Sequence, residues 1–165
     1  MTTIYSIGHS RHAADDFLAL LRAQEIALLV DVRSHPASKW APQFGKAALA
    51  QTLASHAIEY LFLGRELGGR PDGAEYYSSD GAVDYDRRAQ APDFKAAIER
   101  LVALAREQRT AIMCAEEDPA RCHRRLLVTP ALERGGITVV HLRGDGRLEP
   151  EDAATPPSPQ LGLFR

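Results

Sequence analysis

The sequence has few of the features that mark exported, membrane-spanning or strongly basic proteins. Its 165 residues include two cysteines, and its formal net charge is -2. Two cysteines exclude a disulfide-rich secreted scaffold, and a slightly negative charge gives no overall attraction to DNA or an anionic membrane. No apolar run is long enough to cross a bilayer, and no export signal precedes the first predicted strand. We therefore expect a cytoplasmic protein without membrane contact, in which a structural disulfide is disfavoured.

Short apolar runs alternate along the chain with patterns of helical period. Apolar spacing predicts helices around 17–21, 46–56, 94–105 and 119–134, the last kinked at Pro130 and ended by Gly135-Gly136. The alternation predicts a single α/β domain of three layers, with a mainly parallel sheet flanked by helices on both faces. The predicted strands are 3–8, 27–32, 58–63, 110–114 and 137–142.

Two segments break this alternation. Residues 65–90 hold glycines and tyrosines without a sustained period, which predicts a long loop or lid, with a plain surface insertion as the alternative. From Pro150 onward the chain is polar and rich in proline. We expect a compact domain over 1–149 followed by a flexible tail over 150–165. The sequence shows no internal repeat.

The stretch from Cys114 to Arg124 concentrates reactive groups: two thiols, an imidazole, three carboxylates and two guanidiniums in eleven residues. Asp118 and Pro119 predict a helix start, which would place Cys122 in the first turns, near the positive end of the helix dipole. With His123 and Arg124 beside it, Cys122 is the better candidate for a thiolate nucleophile. The alternative is a small cysteine packed in the core.

Residues that follow the parallel strands are expected to meet at one edge of the sheet. The candidates there are polar residues, charged residues and one glycine. Asp31 lies in an apolar run, where a buried carboxylate needs a partner, and Arg33 or Arg124 could pair with it. A structural ion-pair network that only ties strand ends together is the alternative for these residues. The strand-end candidates are Gly8, His9, Ser10, Asp31, Arg33, His35, Ser38, Cys114 and Glu116.

Three chemistries suit this set. Besides the thiolate, an anion site could use Arg33, Arg121 and Arg124 with Glu116 as general acid or base. Because Glu116 and its acidic neighbours oppose a highly charged anion, a phosphodiester or a sugar suits this site better than a terminal phosphate. A metal could in principle bind Cys114, Cys122, His123 and His9, but adjacent ligands on a helix point to different faces, so no metal site is predicted.

Several of these motifs together resemble the bacterial family known as domain of unknown function 488, over about residues 3–142. The family implies a compact α/β fold and supplies no reaction. A fainter likeness is to rhodanese-type sulfurtransferases, from which the long acidic loop after Cys114 departs. The motifs are Gly8-His9-Ser10, Asp31-Val32-Arg33 with Pro36 and Ser38, Leu67-Gly68-Gly69, and Cys114-Ala115-Glu116 with Cys122-His123-Arg124.

The end of the tail resembles the pentapeptide by which bacterial replication and repair proteins dock on the DNA polymerase sliding clamp. Gln160, Leu161, Leu163 and Phe164 match it, while Gly162 departs from the usual serine or aspartate. Two apolar side chains on a flexible linker can reach a partner's pocket. The alternative is that they fold back onto this protein or a second copy of it.

The sequence thus favours an enzyme of DNA or nucleotide metabolism. Arg33 and Arg124 would bind the anionic part of the substrate and Glu116 would transfer protons. Cys122 and His123 would line the pocket, and Tyr60, Tyr76 or Tyr77 could stack on a base. Two alternatives stay open: a nucleotide- or nucleic-acid-binding module without turnover, and a rhodanese-like enzyme of thiol or sulfur transfer.

Overall fold

The computed structural model describes residues 2–151, in which six strands form one sheet. The first five strands pair in parallel, and the sixth pairs antiparallel with the fifth. The spatial order of the strands is β3-β2-β4-β1-β5-β6. In chain order they are β1 (Thr3–Gly8), β2 (Leu28–Asp31), β3 (Glu59–Phe62), β4 (Thr110–Cys114), β5 (Thr138–Leu142) and β6 (Leu148–Pro150).

Helices cover both faces of this sheet, as the alternating pattern predicts. One face packs against the first two helices around Phe17, Phe44 and Leu49, and the other packs against the fifth and sixth around Phe94 and Leu101. The prediction of a three-layer α/β domain is therefore confirmed. The helices are α1 (Ala14–Ala23), α2 (Lys46–Ala54), α3 (Gly64–Leu67), α4 (Tyr85–Ala89), α5 (Pro92–Glu107) and α6 (Thr129–Arg134).

The central strands are buried along their whole length. All four residues of β2 and all five of β4 are buried, including Asp31 and Thr110. Strands covered by helices on both faces need such continuous apolar runs, because neither face meets water. The five predicted strands agree with the structure to within one residue at each end.

Two segments differ from the expected elements. Within 65–90 the structure contains the end of α3, a 3₁₀ turn (Ala74–Tyr76) and α4, so this segment is partly helical. The predicted helix over 119–134 is a 3₁₀ turn (Pro119–Arg121), a π-helical segment (Arg124–Val128) and α6. Asp118 caps the turn by accepting from the Ala120 N–H at 3.0 Å, but the turn ends after three residues.

Strand β6 was not predicted, because Leu148–Pro150 has too few residues to show a period and lies beside the proline-rich segment. It extends the sheet next to β5. Glu151 follows it and accepts a hydrogen bond from Arg125 at 2.7 Å and contacts His141. Among residues 2–151, no helix combines the length and apolar character needed to cross a bilayer.

Candidate functional site

Side chains from four separate segments meet at the carboxyl edge of the sheet. Two adjoining pockets of about 320 Å³ and about 270 Å³ open there, and both are lined by Gly69, Arg70, Glu116 and His123. We call the two pockets together the cleft. Its combined size is adequate for a small-molecule ligand. The position agrees with the rule that open α/β sheets bind ligands beyond the carboxyl ends of their strands.

Asp31 and Arg33 form a buried, two-pronged ion pair below the cleft. The Arg33 Nε lies 2.9 Å from Oδ1 of Asp31, and Nη2 lies 2.8 Å from Oδ2. The Tyr60 hydroxyl donates to the same Oδ2 at 2.6 Å, and burial together with this bond raises the pKa of Tyr60. Asp31 and Tyr60 are therefore committed to this network and do not line the cleft, whereas Arg33 does.

His9 is a neutral histidine on the wall of the cleft. Its Nδ1 donates to the Ser10 carbonyl at 2.8 Å, so Nε2 is the acceptor for the Arg33 Nη1 at 3.2 Å. Burial, with the Arg33 charge beside it, lowers the pKa of His9 to about 4. The ring stacks on Phe44 with centroids 4.7 Å apart. His9 thus positions Nη1 of Arg33, the guanidinium nitrogen that does not bond Asp31.

Gly8, at the end of β1, and Ser10, just beyond it, support the backbone and do not line the cleft. A Cβ on Gly8 would lie 1.7 Å from the carbonyl oxygen of Glu116, so the small residue admits the 116–117 backbone. Ser10 has a φ of 46° and its N–H donates to the Ala115 carbonyl at 2.9 Å. Both residues hold the loop after β4 in place.

The two cysteines meet beneath the cleft. The structure joins them as a disulfide, which the sequence had disfavoured, and their Cα atoms lie 7.7 Å apart. Sγ of Cys114 also lies 3.2 Å from Oε2 of Glu116. Cys122 has an extended backbone (φ -133°, ψ 145°) instead of lying in the first turn of a helix. Its carbonyl accepts from the Arg125 N–H at 3.1 Å, so Cys122 caps the helical segment that follows.

This extended backbone turns His123 toward the same point as Cys122. The His123 Nε2 lies 2.8 Å from the Val32 carbonyl oxygen, which can only accept, so Nε2 carries the proton. The unprotonated Nδ1 lies 3.6 Å from Sγ of Cys122. Burial lowers the pKa of His123 to about 4, so the ring is neutral near pH 7. Neighbouring side chains that the sequence placed on different helix faces therefore converge.

Arg124 is fully buried and does not line the cleft, in contrast to its predicted role as an anion ligand. Its Nε lies 3.0 Å from Sγ of Cys114 and 3.4 Å from Sγ of Cys122. The Nη1 donates to Ser6 at 2.8 Å and the Nη2 to the Glu116 carbonyl at 2.5 Å. Burial lowers the pKa of Arg124 to about 10. These hydrogen bonds within the protein hold the Arg124 guanidinium against the two sulfurs.

Glu116 and Glu117 have different roles although they are neighbours. Glu116 is exposed at the mouth of the cleft. Glu117 accepts two hydrogen bonds from Arg143, each 2.9 Å, and one from the Gly144 N–H. This pairing lowers the pKa of Glu117 to about 2. Of these two carboxylates, Glu116 is thus the one that faces the cleft.

The remaining candidates divide between the cleft and the scaffold. Ser38 lines the cleft, and its Oγ accepts from the Ala41 N–H at 3.2 Å. Tyr76 packs under the Arg88 guanidinium, and the Tyr77 hydroxyl donates to the Pro71 carbonyl. Neither tyrosine lines the cleft.

Sequence reasoning did not single out Arg70 and Tyr85, and it gave Gly69 only as part of the Leu67-Gly68-Gly69 motif. All three come from the 65–90 segment, and the one available signal for Arg70 and Tyr85 is their place in a long aperiodic segment of the chain. A Cβ on Gly69 would lie 3.0 Å from the His123 ring, so the glycine lets this segment approach the imidazole. The Arg70 N–H donates to Ser34 at 2.8 Å and fixes the segment over the cleft.

The model of the family described as "Domain of unknown function DUF488" matches residues 13–130. No curated protein and no solved structure matches the chain.

Proposed function

The chain belongs to the DUF488 family, and within that family we propose that it is an enzyme of nucleotide or DNA metabolism. One observation carries the proposal: the exposed carboxylate of Glu116 lies at the mouth of a cleft that is also lined by arginines. A carboxylate there can transfer protons, while guanidinium groups bind the phosphate of a substrate. The positive charge of these arginines in the cleft can attract a phosphate although the net charge of the whole chain is -2.

Different residues of the cleft are suited to bind different parts of a nucleotide. Arg70 and Arg121 line the larger pocket and Arg33 lines the smaller one. Tyr85, on the 65–90 segment, lines the larger pocket with Arg70 and Arg121, and burial raises the pKa of its phenol, so it stays uncharged. An uncharged aromatic ring can stack on a base. We assign phosphate binding to the arginines and base stacking to Tyr85.

The proposal is tested with nucleoside monophosphates and short single-stranded DNA as probes. Calorimetry measures binding, and chromatography with mass spectrometry detects conversion of each probe. Arg121→Ala should weaken binding at least severalfold, whereas the exposed helical variant Arg100→Ala should not. If no probe binds the wild-type chain or is converted by it, the proposal is wrong.

Glu116→Gln separates an enzyme from a pure binding module. In an enzyme the amide cannot transfer protons, so turnover falls by about 10²–10⁴ while binding of the probe persists. In a binding module the wild-type protein converts no probe, and the substitution changes affinity alone. The same two assays distinguish these outcomes.

The pairing of Cys114 with Cys122 favours a second candidate, thiol chemistry. When the pair is reduced, the hydrogen bonds from Arg124 to both sulfurs would stabilise a thiolate there. This candidate expects one cysteine of the reduced protein to be alkylated quickly near neutral pH, with a mass spectrum identifying the site. Equal and slow labelling of both cysteines would argue against it.

We further propose that the tail docks this enzyme on the sliding clamp in the cytoplasm. Residues 160–165 lie outside the described residues, so the proposal rests on their sequence. Tethering would raise the local concentration of DNA at a cleft of weak intrinsic affinity. Deleting 160–165 should abolish clamp capture in a pull-down and leave the melting temperature nearly unchanged. A large loss of stability would show instead that the peptide packs on its own domain.

A further inference from the structure

We propose that, when the Cys114–Cys122 disulfide is reduced, Cys114, Cys122 and His123 form a binding site for one zinc ion. Their ligand atoms, two sulfurs and one imidazole nitrogen, all lie within 4.8 Å of one another. Sulfur and imidazole donors are the set that zinc prefers among the common metal ions of proteins. The three residues come from two segments, the end of β4 and the start of the helical segment at Arg124. The fold therefore brings these three donor residues together although Cys114 and Cys122 are eight residues apart in the chain.

The backbone spacing of the two cysteines suits a shared metal. Their Cα atoms lie 7.7 Å apart. Disulfides usually join Cα atoms about 4.4–6.8 Å apart, so this pair is widely spaced for such a bond. In the reduced protein a zinc ion between the sulfurs, with Zn–S bonds of about 2.3 Å, spans a wider gap than a disulfide does.

The groups around the three side chains orient them as a zinc site requires. The Val32 carbonyl holds the Nε2 proton of His123, which leaves Nδ1 unprotonated and aimed at Cys122. Zinc-bound histidines commonly donate their other N–H in this way. The Arg124 Nε donates to both sulfurs and favours the thiolate form, which is the form that binds metal.

Three protein ligands leave one position for water, as in catalytic zinc sites. Cys122 and His123 line one pocket of the cleft, and Cys114 and His123 line the other, so this position would open toward a substrate. Glu116, whose Oε2 lies 3.2 Å from Sγ of Cys114, would stand beside it. Zinc enzymes that act on nucleobases also use two cysteines and a histidine as donors, with a nearby glutamate that is not a ligand as general acid or base. This last link rests on the proposed function, whereas the metal site does not.

The test measures metal content directly. The full chain is purified without chelator, kept reduced with a phosphine, and analysed by plasma mass spectrometry. We expect about one zinc per chain in the wild type and in His56→Ala, whose histidine precedes β3 at the opposite edge of the sheet. Cys114→Ser, Cys122→Ser and His123→Gln should each lose most of it.

A second measurement needs no variant. Cobalt added to the reduced, metal-free wild type should give the near-ultraviolet absorption of a thiolate–cobalt bond, saturate at one equivalent, and be displaced by zinc. The proposal is overturned if the reduced protein takes up neither metal, or if Cys114→Ser and Cys122→Ser both keep their zinc. Because nucleotide binding is measured separately, failure of the zinc site and failure of the proposed function are told apart.

Discussion

Gly8 lies directly against the carbonyl of Glu116: a Cβ at position 8 would come within 1.7 Å of that oxygen. Gly8→Ala should therefore displace the 116–117 backbone or unfold the domain, at a cost of about 3 kcal/mol or more in the free energy of unfolding. Urea unfolding measures this cost. Gly45→Ala is the matched control, because Gly45 has a φ of -61° and a Cβ there meets no atom nearer than 3.3 Å. Equal stability of the two variants would contradict the close approach.

Asp31→Asn should leave the Arg33 guanidinium buried without its counter-charge. Both side chains are almost completely buried, at 0% and 5% exposed. Removing one partner of a buried ion pair typically costs about 3–5 kcal/mol in unfolding free energy, and we expect a loss of that size. Asp145→Asn breaks the exposed pair with Arg147 and should leave stability nearly unchanged. A small effect at both positions would show that the network at Asp31 contributes little.

Acid should destabilise the domain through His9, whose pKa is lowered from 6.5 to about 4 in the fold. Below pH 6.5 His9 becomes protonated in the unfolded chain but stays neutral in the folded domain. The free energy of unfolding therefore falls as the pH drops toward 4. Between pH 7.5 and 4.5 the wild type should lose about 2–3 kcal/mol more than His9→Gln does. Other groups titrate in both proteins and cancel in this comparison. Parallel pH profiles in urea unfolding would mean that His9 titrates normally.

Arg124→Lys should weaken zinc binding by about 10–100-fold, because the guanidinium Nε that supports both sulfurs is lost. Competition with a chromogenic chelator measures the affinity, and the melting temperature reports whether the variant is folded. Arg121→Lys is the matched control, since Arg121 lines the cleft and makes no described contact with either sulfur. An equal loss in both variants would remove the specific role of Arg124.

The fold could be predicted from the sequence because its signals are local. Continuous apolar runs such as 110–114 belong to strands covered on both faces, and the alternation with helices implies a parallel sheet. The shared edge follows from parallel geometry alone. His9, Arg33, Glu116 and His123 come from separate segments and all line the cleft, as that geometry predicts.

The details of the site depend on long-range packing, which one sequence does not reveal. Asp118-Pro119 signals a helix start, but the turn stops at Arg121, and Cys122 becomes extended. That one change brings Cys122 and His123 together and overturns the argument that neighbouring ligands diverge. The burial of Arg124 could not be predicted either, since its partners include Ser6, 118 residues away.

The loop that carries Glu116 is fastened on two sides, by Gly8 beneath it and by the Arg143–Glu117 pair beside it. Neither fastening uses the carboxylate of Glu116 or the side chain of Arg121. Evolution can therefore exchange the groups that meet the ligand while the loop keeps its shape. The same scaffold could serve relatives with different substrates, and sequence variation at 116 and 121 would report specificity, whereas variation at 8 or 117 would report a change of architecture.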